Sequence, residues 1–235
     1  MNRYFYTISP EQLDRGGLAT VPAIYRILID SISRNIRTEG FGVDVLQRRG
    51  MTWALARCAV EFFRRPGLYD EICVEVWRGE GSGLCHNRCV RATAGDGSLV
   101  CCGVTDWCVI DLMSRRPQAP LSRENDGNEA PCAPPRRLKP IPSLACAHHT
   151  LEVGYSECDF NGHLNNAKYV ETFYDMLPDS VAESLSRFRI DINFRRELPC
   201  GSVARACIAP NGSSGYDYCL YTDGLPACCA SISRL

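Results

Sequence analysis

The chain lacks any run approaching the roughly 18 uninterrupted apolar residues of a membrane span. Its opening stretch, "MNRYFYTISPEQLDRGG", lacks the apolar core of a signal peptide. Charge of one sign is also missing. Lys plus Arg number 26 against 27 Asp plus Glu, a formal net charge of -1, so no global positive field draws nucleic acid or an anionic membrane. These absences predict a soluble, cytoplasmic protein with no nucleic-acid and no membrane partner. With 235 residues, 45% of them hydrophobic, the chain can bury the core of one large domain or two small ones.

Cysteine, by contrast, is abundant. The 15 cysteines would suggest a disulfide framework in a short secreted chain, but the number is odd and no export signal is visible. Many fall in strand-like apolar runs, such as Cys73 in "EICVEVW" and Cys108 in "DWCVIDL", where a thiol behaves as a small hydrophobe. Reduced, largely buried thiols are expected. A zinc motif would have to begin at "CHNRC", Cys85 to Cys89, which has no second paired element. No metal and no cofactor are therefore predicted.

The sharpest change of composition is the proline-rich, charged segment from Ser114 to Ser143, which has no apolar period and reads as a linker. The same order of elements occurs on each side of it. In the first half "YFYTIS" reads as a strand and Val21 to Arg37 as a helix. Thr20 stands at the cap, Pro22 in the first turn, Ile24, Leu28, Ile32 and Ile36 on one face, and Gly40 at the stop. Four strand-like runs follow: "TWALARCAVEFF", "DEICVEVW", "HNRCVRATA" and "SLVCCGVTDWCVIDL". In the second half "HTLEVGY" reads as a strand and Asn166 to Leu177 as a helix with a stripe of Tyr169, Val170, Phe173, Tyr174 and Leu177, ended by Pro178. Its four strands are "RFRIDINFRREL", "SVARACIA", "GYDYCLYT" and "PACCASIS".

The repeat is degenerate: "DRGGL" and "DFNGHL" each stand just before a helix. A long helix followed by a meander of strands packs best when the antiparallel sheet curls around the helix. The expected class is α+β, a double hotdog of two repeats, each with a long helix wrapped by an antiparallel sheet. The expected organisation is a first repeat over residues 1–113, a linker over 114–143 and a second repeat over 144–235.

The most polar cluster is "DFNGHLNNAKYV". Asp159, Asn161 and His163 occupy alternate positions as calcium ligands do in an EF-hand loop, but the sixth position is Leu164 and the twelfth Val170, where Gly and Glu are required. A catalytic constellation and a polar turn capping a helix remain.

This cluster resembles the D-x-N-x-H-[LV]-N-N-x-K-Y motif of acyl-acyl-carrier-protein thioesterases. The resemblance extends through "MTWALARCAVEFFRRPGLYDEICVEVW", "WCVIDLMSRRP" and "INFRRELPCGS", about four-fifths of the chain. It implies a thiolester hydrolase that cleaves the thioester between a fatty acyl chain and acyl carrier protein, the expected partner, and it leaves a homodimer open. Asp159, Asn161 and His163 match the motif's Asp, Asn and His. Glu197 matches the acidic residue of the family's R-E-C segment, which reads "REL" here. The plant enzymes' cysteine is Leu198, so a thiol nucleophile at that position is ruled out, and Cys200 is a poor substitute on strand periodicity.

With the resemblance, His163 is assigned as base, orienter or donor, since imidazole exchanges protons near neutral pH. A water between His163 and Glu197 is the expected nucleophile. Asp159 orients a neighbour or forms the turn, and Asn161 positions water or a carbonyl. Backbone N–H groups over residues 162–165 are the expected oxyanion donors. The first repeat has neither Asn nor His at the equivalent place and is expected to be non-catalytic, enclosing the acyl chain with residues such as Ile24, Leu28, Trp53 and Leu55. Acyl carrier proteins are acidic, so Arg115, Arg116, Arg136, Arg137 and Lys139 are docking candidates. The competing readings are an acyl-CoA thioesterase, which handles the same pantetheine arm, and a non-catalytic hotdog that binds acyl thioesters.

Overall fold

A computed structural model describes residues 1–119, 121, 124–142, 147–212 and 215–235. The chain forms two compact units, Met1–Pro135 and Arg136–Leu235. No helix among the described residues is long and apolar enough to cross a membrane.

The first unit begins with β1 (Asn2–Thr7) and a 3-10 turn at Pro10–Gln12, followed by α1 (Val21–Thr38) and the short α2 (Val43–Gln47). Four strands follow: β2 (Met51–Phe62), β3 (Glu71–Arg78), β4 (Cys85–Ala94) and β5 (Leu99–Asp111). All pair antiparallel in the order β1-β3-β4-β5-β2. α1 starts where the sequence predicts, because the Thr20 hydroxyl accepts the Ala23 N–H at 3.2 Å and Pro22 gives up no helical hydrogen bond in the first turn. It stops at Gly40, whose φ of +82° a side chain would resist. Ile24, Leu28, Ile32 and Ile36 are all buried, and the helix packs on β3 and β4.

The second unit repeats this plan with β6 (Ala147–Glu152), a 3-10 turn at Tyr155–Glu157, α3 (Asn166–Asp175) and the short α4 (Asp179–Ser184). Its strands are β7 (Phe188–Phe194), β8 (Val203–Asn211), β9 (Gly215–Thr222) and β10 (Leu225–Arg234). The order is β6-β8-β9-β10-β7, strand for strand that of the first unit. Tyr169, Val170 and Phe173 of α3 are buried. Phe173 lies 5.1 Å from the Tyr218 ring on β9, and Tyr169 meets Phe194 edge-on at 5.4 Å. Burying each such side chain contributes about 1.5–3 kcal/mol, more than the intrinsic propensity of a ten-residue helix supplies. Each unit is a hotdog, with one helix against one antiparallel sheet.

One expectation here needs correction. α3 ends at Asp175 rather than Leu177, because Pro178 denies the last turn a continuation and instead precedes α4. The segment 114–143 forms no helix or strand and is mostly exposed among its described residues, but named points along it are tied to each unit. Arg78 in the first unit donates through its backbone N–H and Nε to the Asp126 carboxylate, both at 2.9 Å. In the second unit Arg136 N–H and Nε donate to Asp191 at 2.8 and 2.7 Å, and Leu138 N–H donates to Asn193 Oδ1 at 2.9 Å. Strand alternation puts Asp191 and Asn193 opposite the face that α3 covers. Arg136 is thus an ion-pair partner of the sheet, with about half of its side chain left exposed (51%).

Asp191 is fully buried and also takes a two-pronged contact from Arg189, at 2.8 and 3.0 Å. Burial opposes its ionisation, but the Arg189 guanidinium and the Arg136 N–H outweigh burial and hold its carboxyl below the usual carboxylate range. A lowered folded-state pKa adds stability that is complete above the unfolded value, near 3.9, and is lost as pH falls through the folded value. Asp191→Asn should cost about 3–5 kcal/mol at neutral pH by stranding Arg189, and it should flatten the acid limb of the stability profile. Equal acid slopes for the two proteins in denaturant melts would contradict this account.

Candidate active site

The site is built by the turn between β6 and α3. Asp159 N–H donates to the His163 carbonyl at 2.8 Å, and Gly162 N–H donates to the Asp159 carbonyl at 3.0 Å. The Asp159 carboxylate accepts the Asn161 N–H at 2.8 Å and, weakly, the His163 N–H at 3.4 Å. Gly162 has φ +77°, a conformation that costs L side chains, and the tight turn requires it. Asn165 then caps α3 by accepting the Ala167 N–H at 2.9 Å.

The loop after β7 docks onto this turn. Leu164 N–H donates to the Leu198 carbonyl at 2.8 Å, Cys200 N–H donates to the Gly162 carbonyl at 3.0 Å, and His163 bridges Pro199. Pinned in this way, Glu197 approaches His163 with Oε2 3.6 Å from Nε2. Glu197 therefore does not end a strand, as the sequence suggests. β7 stops at Phe194, and the carboxylate sits on the loop that follows.

The structure thus brings His163 and Glu197 together and holds Asp159 and Asn161 on the same turn. It does not direct the Asp159 carboxylate at the imidazole, since Oδ1 engages backbone N–H groups. The expected oxyanion donors are also mostly committed. The N–H groups of Gly162, Leu164 and Asn165 donate to the carbonyls of Asp159, Leu198 and Glu157, and that of His163 reaches Asp159. Turn formation consumed what a helix-terminus argument counts as free. The N–H of Asn166, the first residue of α3, is an orphan donor by helix geometry.

Sequence reasoning gave Tyr169 no role beyond the apolar stripe. Burial pushes its phenol far up, with the nearby Cys228 and Glu197 adding to this, and the Leu198 backbone hydrogen-bonds it. It is a neutral polar group beneath the Glu197 loop, and nothing in an aromatic at helical spacing announces that. Desolvation and the Cys200 thiol push the Cys158 thiol, next to the turn, up to about 11, so it is no nucleophile at neutral pH. Ile24, Leu28 and Leu55 are packed core of the first unit, and the Trp53 Nε1 donates to the Phe41 carbonyl at 2.8 Å.

The first unit carries the same turn without this chemistry. Asp14 N–H donates to the Leu18 carbonyl at 2.9 Å, the Asp14 carboxylate accepts the Gly16 N–H at 2.8 Å, and Gly17 has φ +76°. Gly16 stands where the second unit has Asn161, and Leu18 where it has His163. Ala19 N–H donates to the Pro66 carbonyl as Leu164 N–H does to Leu198, which puts Arg65 at the position of Glu197. Arg65 is buried there in an ion pair with Asp14.

Residues 144–224 match the family model described as the acyl-ACP thioesterase C-terminal domain. Over this stretch the chain is similar to the acyl-ACP thioesterases. Among curated relatives it is 26% identical over 197 residues to a chloroplastic dodecanoyl-[acyl-carrier-protein] hydrolase of Cinnamomum camphora, covering 77% of this chain and 51% of the relative. It is 23% identical to a chloroplastic oleoyl-acyl carrier protein thioesterase of Coriandrum sativum, covering 82% and 58%. The chain therefore spans about half the length of the curated relatives it matches. An acyl-ACP thioesterase of Bacteroides thetaiotaomicron superposes with TM-score 0.89 at 22% identity, over 100% of this chain and 97% of that one. A 12:0-ACP thioesterase of Umbellularia californica superposes with TM-score 0.84 at 18% identity, over 100% and 96%. These likenesses establish the fold.

If the turn is a shared structural device, its glycine should have the same value in both units. A Cβ at Gly17 or Gly162 meets nothing within 4 Å, so Ala there costs only the left-handed backbone, about 1–2 kcal/mol. Denaturant melts of Gly17→Ala and Gly162→Ala should show losses of that size in each. A neutral result at either position would contradict the assignment.

Proposed function

We propose that this chain hydrolyses the thioester of fatty acyl chains carried on acyl carrier protein, releasing the free fatty acid and the carrier. The observation that carries the reading is the approach of His163 to Glu197 beside the start of α3, present in the second unit and replaced by Leu18 and Arg65 in the first. The family model matched over residues 144–224 supports the reaction class, and the names of the relatives support acyl carrier protein as the carrier.

At 3.6 Å the two groups are beyond a direct hydrogen bond, yet one water beside them reaches both. In this reading the water loses its proton to the His163–Glu197 pair as its oxygen attacks the thioester carbonyl. The Asn166 N–H, backed by the α3 dipole, stabilises the oxyanion. Collapse breaks the C–S bond, and the proton passes from the pair to the leaving pantetheine thiolate. Asn161 orients the water or the carbonyl through its amide, and Asp159 holds Asn161 and His163 by fixing the turn. Leu198, fully buried, leaves the water no thiol competitor at the family's cysteine position. Arg116, Arg137 and Lys139 are exposed and offer positive charge to an acidic carrier.

His163→Ala and Glu197→Gln should each lower kcat by about 10²-fold or more without equal loss of acyl binding, with melting temperatures nearly unchanged. Turnover of matched acyl-carrier-protein and acyl-CoA thioesters, measured beside thermal melts, checks this. Full activity in a folded His163→Ala protein would sink the catalytic reading, preference for coenzyme A would replace the carrier, and binding without turnover would leave a non-catalytic hotdog.

A further inference from the structure

The sheet of the first unit carries a second polar cluster that the hydrolytic site does not use. Glu61 on β2 and Cys102 on β5 are direct cross-strand partners, so their side chains leave the same face of the sheet. The segment that follows β5 returns across this face. Pro131 accepts the Cys102 thiol at 3.4 Å through its carbonyl, and Cys132 packs against Trp77, Cys89 and Val104. As a result the Cys102 Sγ, the Cys132 Sγ and a Glu61 carboxylate oxygen all lie within 4.8 Å of one another. Cys102 is buried, while Cys132 and Glu61 are half-buried, so an ion has a route in and a largely dry seat.

The geometry points to a thiophilic divalent metal site, of zinc type, formed by Cys102, Cys132 and Glu61. Zinc takes thiolates at about 2.3 Å and carboxylate oxygens at about 2.0–2.2 Å, which puts tetrahedral neighbours roughly 3.3–3.8 Å apart. The three donor atoms, at most 4.8 Å apart, need to close by no more than about 1.5 Å to meet that. Two thiolates and a carboxylate are soft enough to exclude magnesium and calcium, which want oxygen alone. Binding releases the two thiol protons to solvent, and the fourth position takes a water. Three negative ligands on a doubly charged ion leave one net negative charge. Arg91, the cross-strand neighbour of Cys102 on β4, stands next to it with a guanidinium that also serves Glu75. The ion would clip residues 131–132 to β2 and β5. No spacing motif announces the site, because its ligands come from three separate stretches.

Cobalt(II) is the probe, because thiolate ligation gives it a charge-transfer absorption that oxygen ligation does not. The reduced full chain should bind one equivalent with a thiolate band, and zinc should displace it. Cys132→Ser should remove most of the band, Glu61→Gln should weaken binding by about tenfold or more, and both variants should keep wild-type turnover and circular dichroism, since neither residue belongs to the hydrolytic set. Because the chain has 15 cysteines, the variants decide between sites. Absence of a thiolate band in the folded, reduced chain, or an undiminished band in Cys132→Ser, would overturn the assignment.

Discussion

The structure depends on a single tight turn, made twice, that delivers the chain from an edge strand into the helix that must cover its sheet. A five-stranded antiparallel sheet with one apolar face is not stable in water until something apolar lies on that face. The helix can do so only if the chain reverses within a few residues. Asp14 and Asp159 hold that reversal by gathering backbone N–H groups, and Gly17 and Gly162 supply its left-handed residue. The loop after the following strand then docks on the turn through Ala19 in one unit and Leu164 in the other.

Because both copies need the turn, the second unit can place chemistry on it at little structural cost. Two positions of the turn and one on the docked loop differ between the two units. In the first unit they hold Gly16, Leu18 and Arg65, and the Arg65–Asp14 ion pair closes the turn. In the second unit Asn161, His163 and Glu197 occupy them, and the carboxylate faces an imidazole. Asp159 is then common to scaffold and site, which explains why a motif beginning with Asp stands before both helices.

Much of this was legible in the sequence. The 3.6-residue period of Ile24, Leu28, Ile32 and Ile36 and the alternation of the strands fix the elements, and the resemblance picks out His163 and Glu197. What escaped it has physical causes. Helix ends are decided by proline at Pro178 and by packing rather than by the apolar stripe. The proline-rich segment looks solvated because its partners, Asp191 and Asn193, lie more than 50 residues away, where no local pattern records them. The donor ledger at the start of α3 required coordinates, since the turn's own hydrogen bonds consume most of the N–H groups that a dipole argument leaves open. Tyr169 reads as core because a buried phenol and a buried phenyl share one spacing.

The central claim is that His163 and Glu197 act as one unit, and it rests on a separation of 3.6 Å. Its most direct test is the double-mutant cycle of His163→Ala and Glu197→Gln on kcat with an acyl-carrier-protein substrate. If the pair jointly activates one water, the double variant should be hardly slower than the worse single one, a loss far smaller than the product of the two. Losses that multiply, each residue contributing independently of the other, would contradict the account.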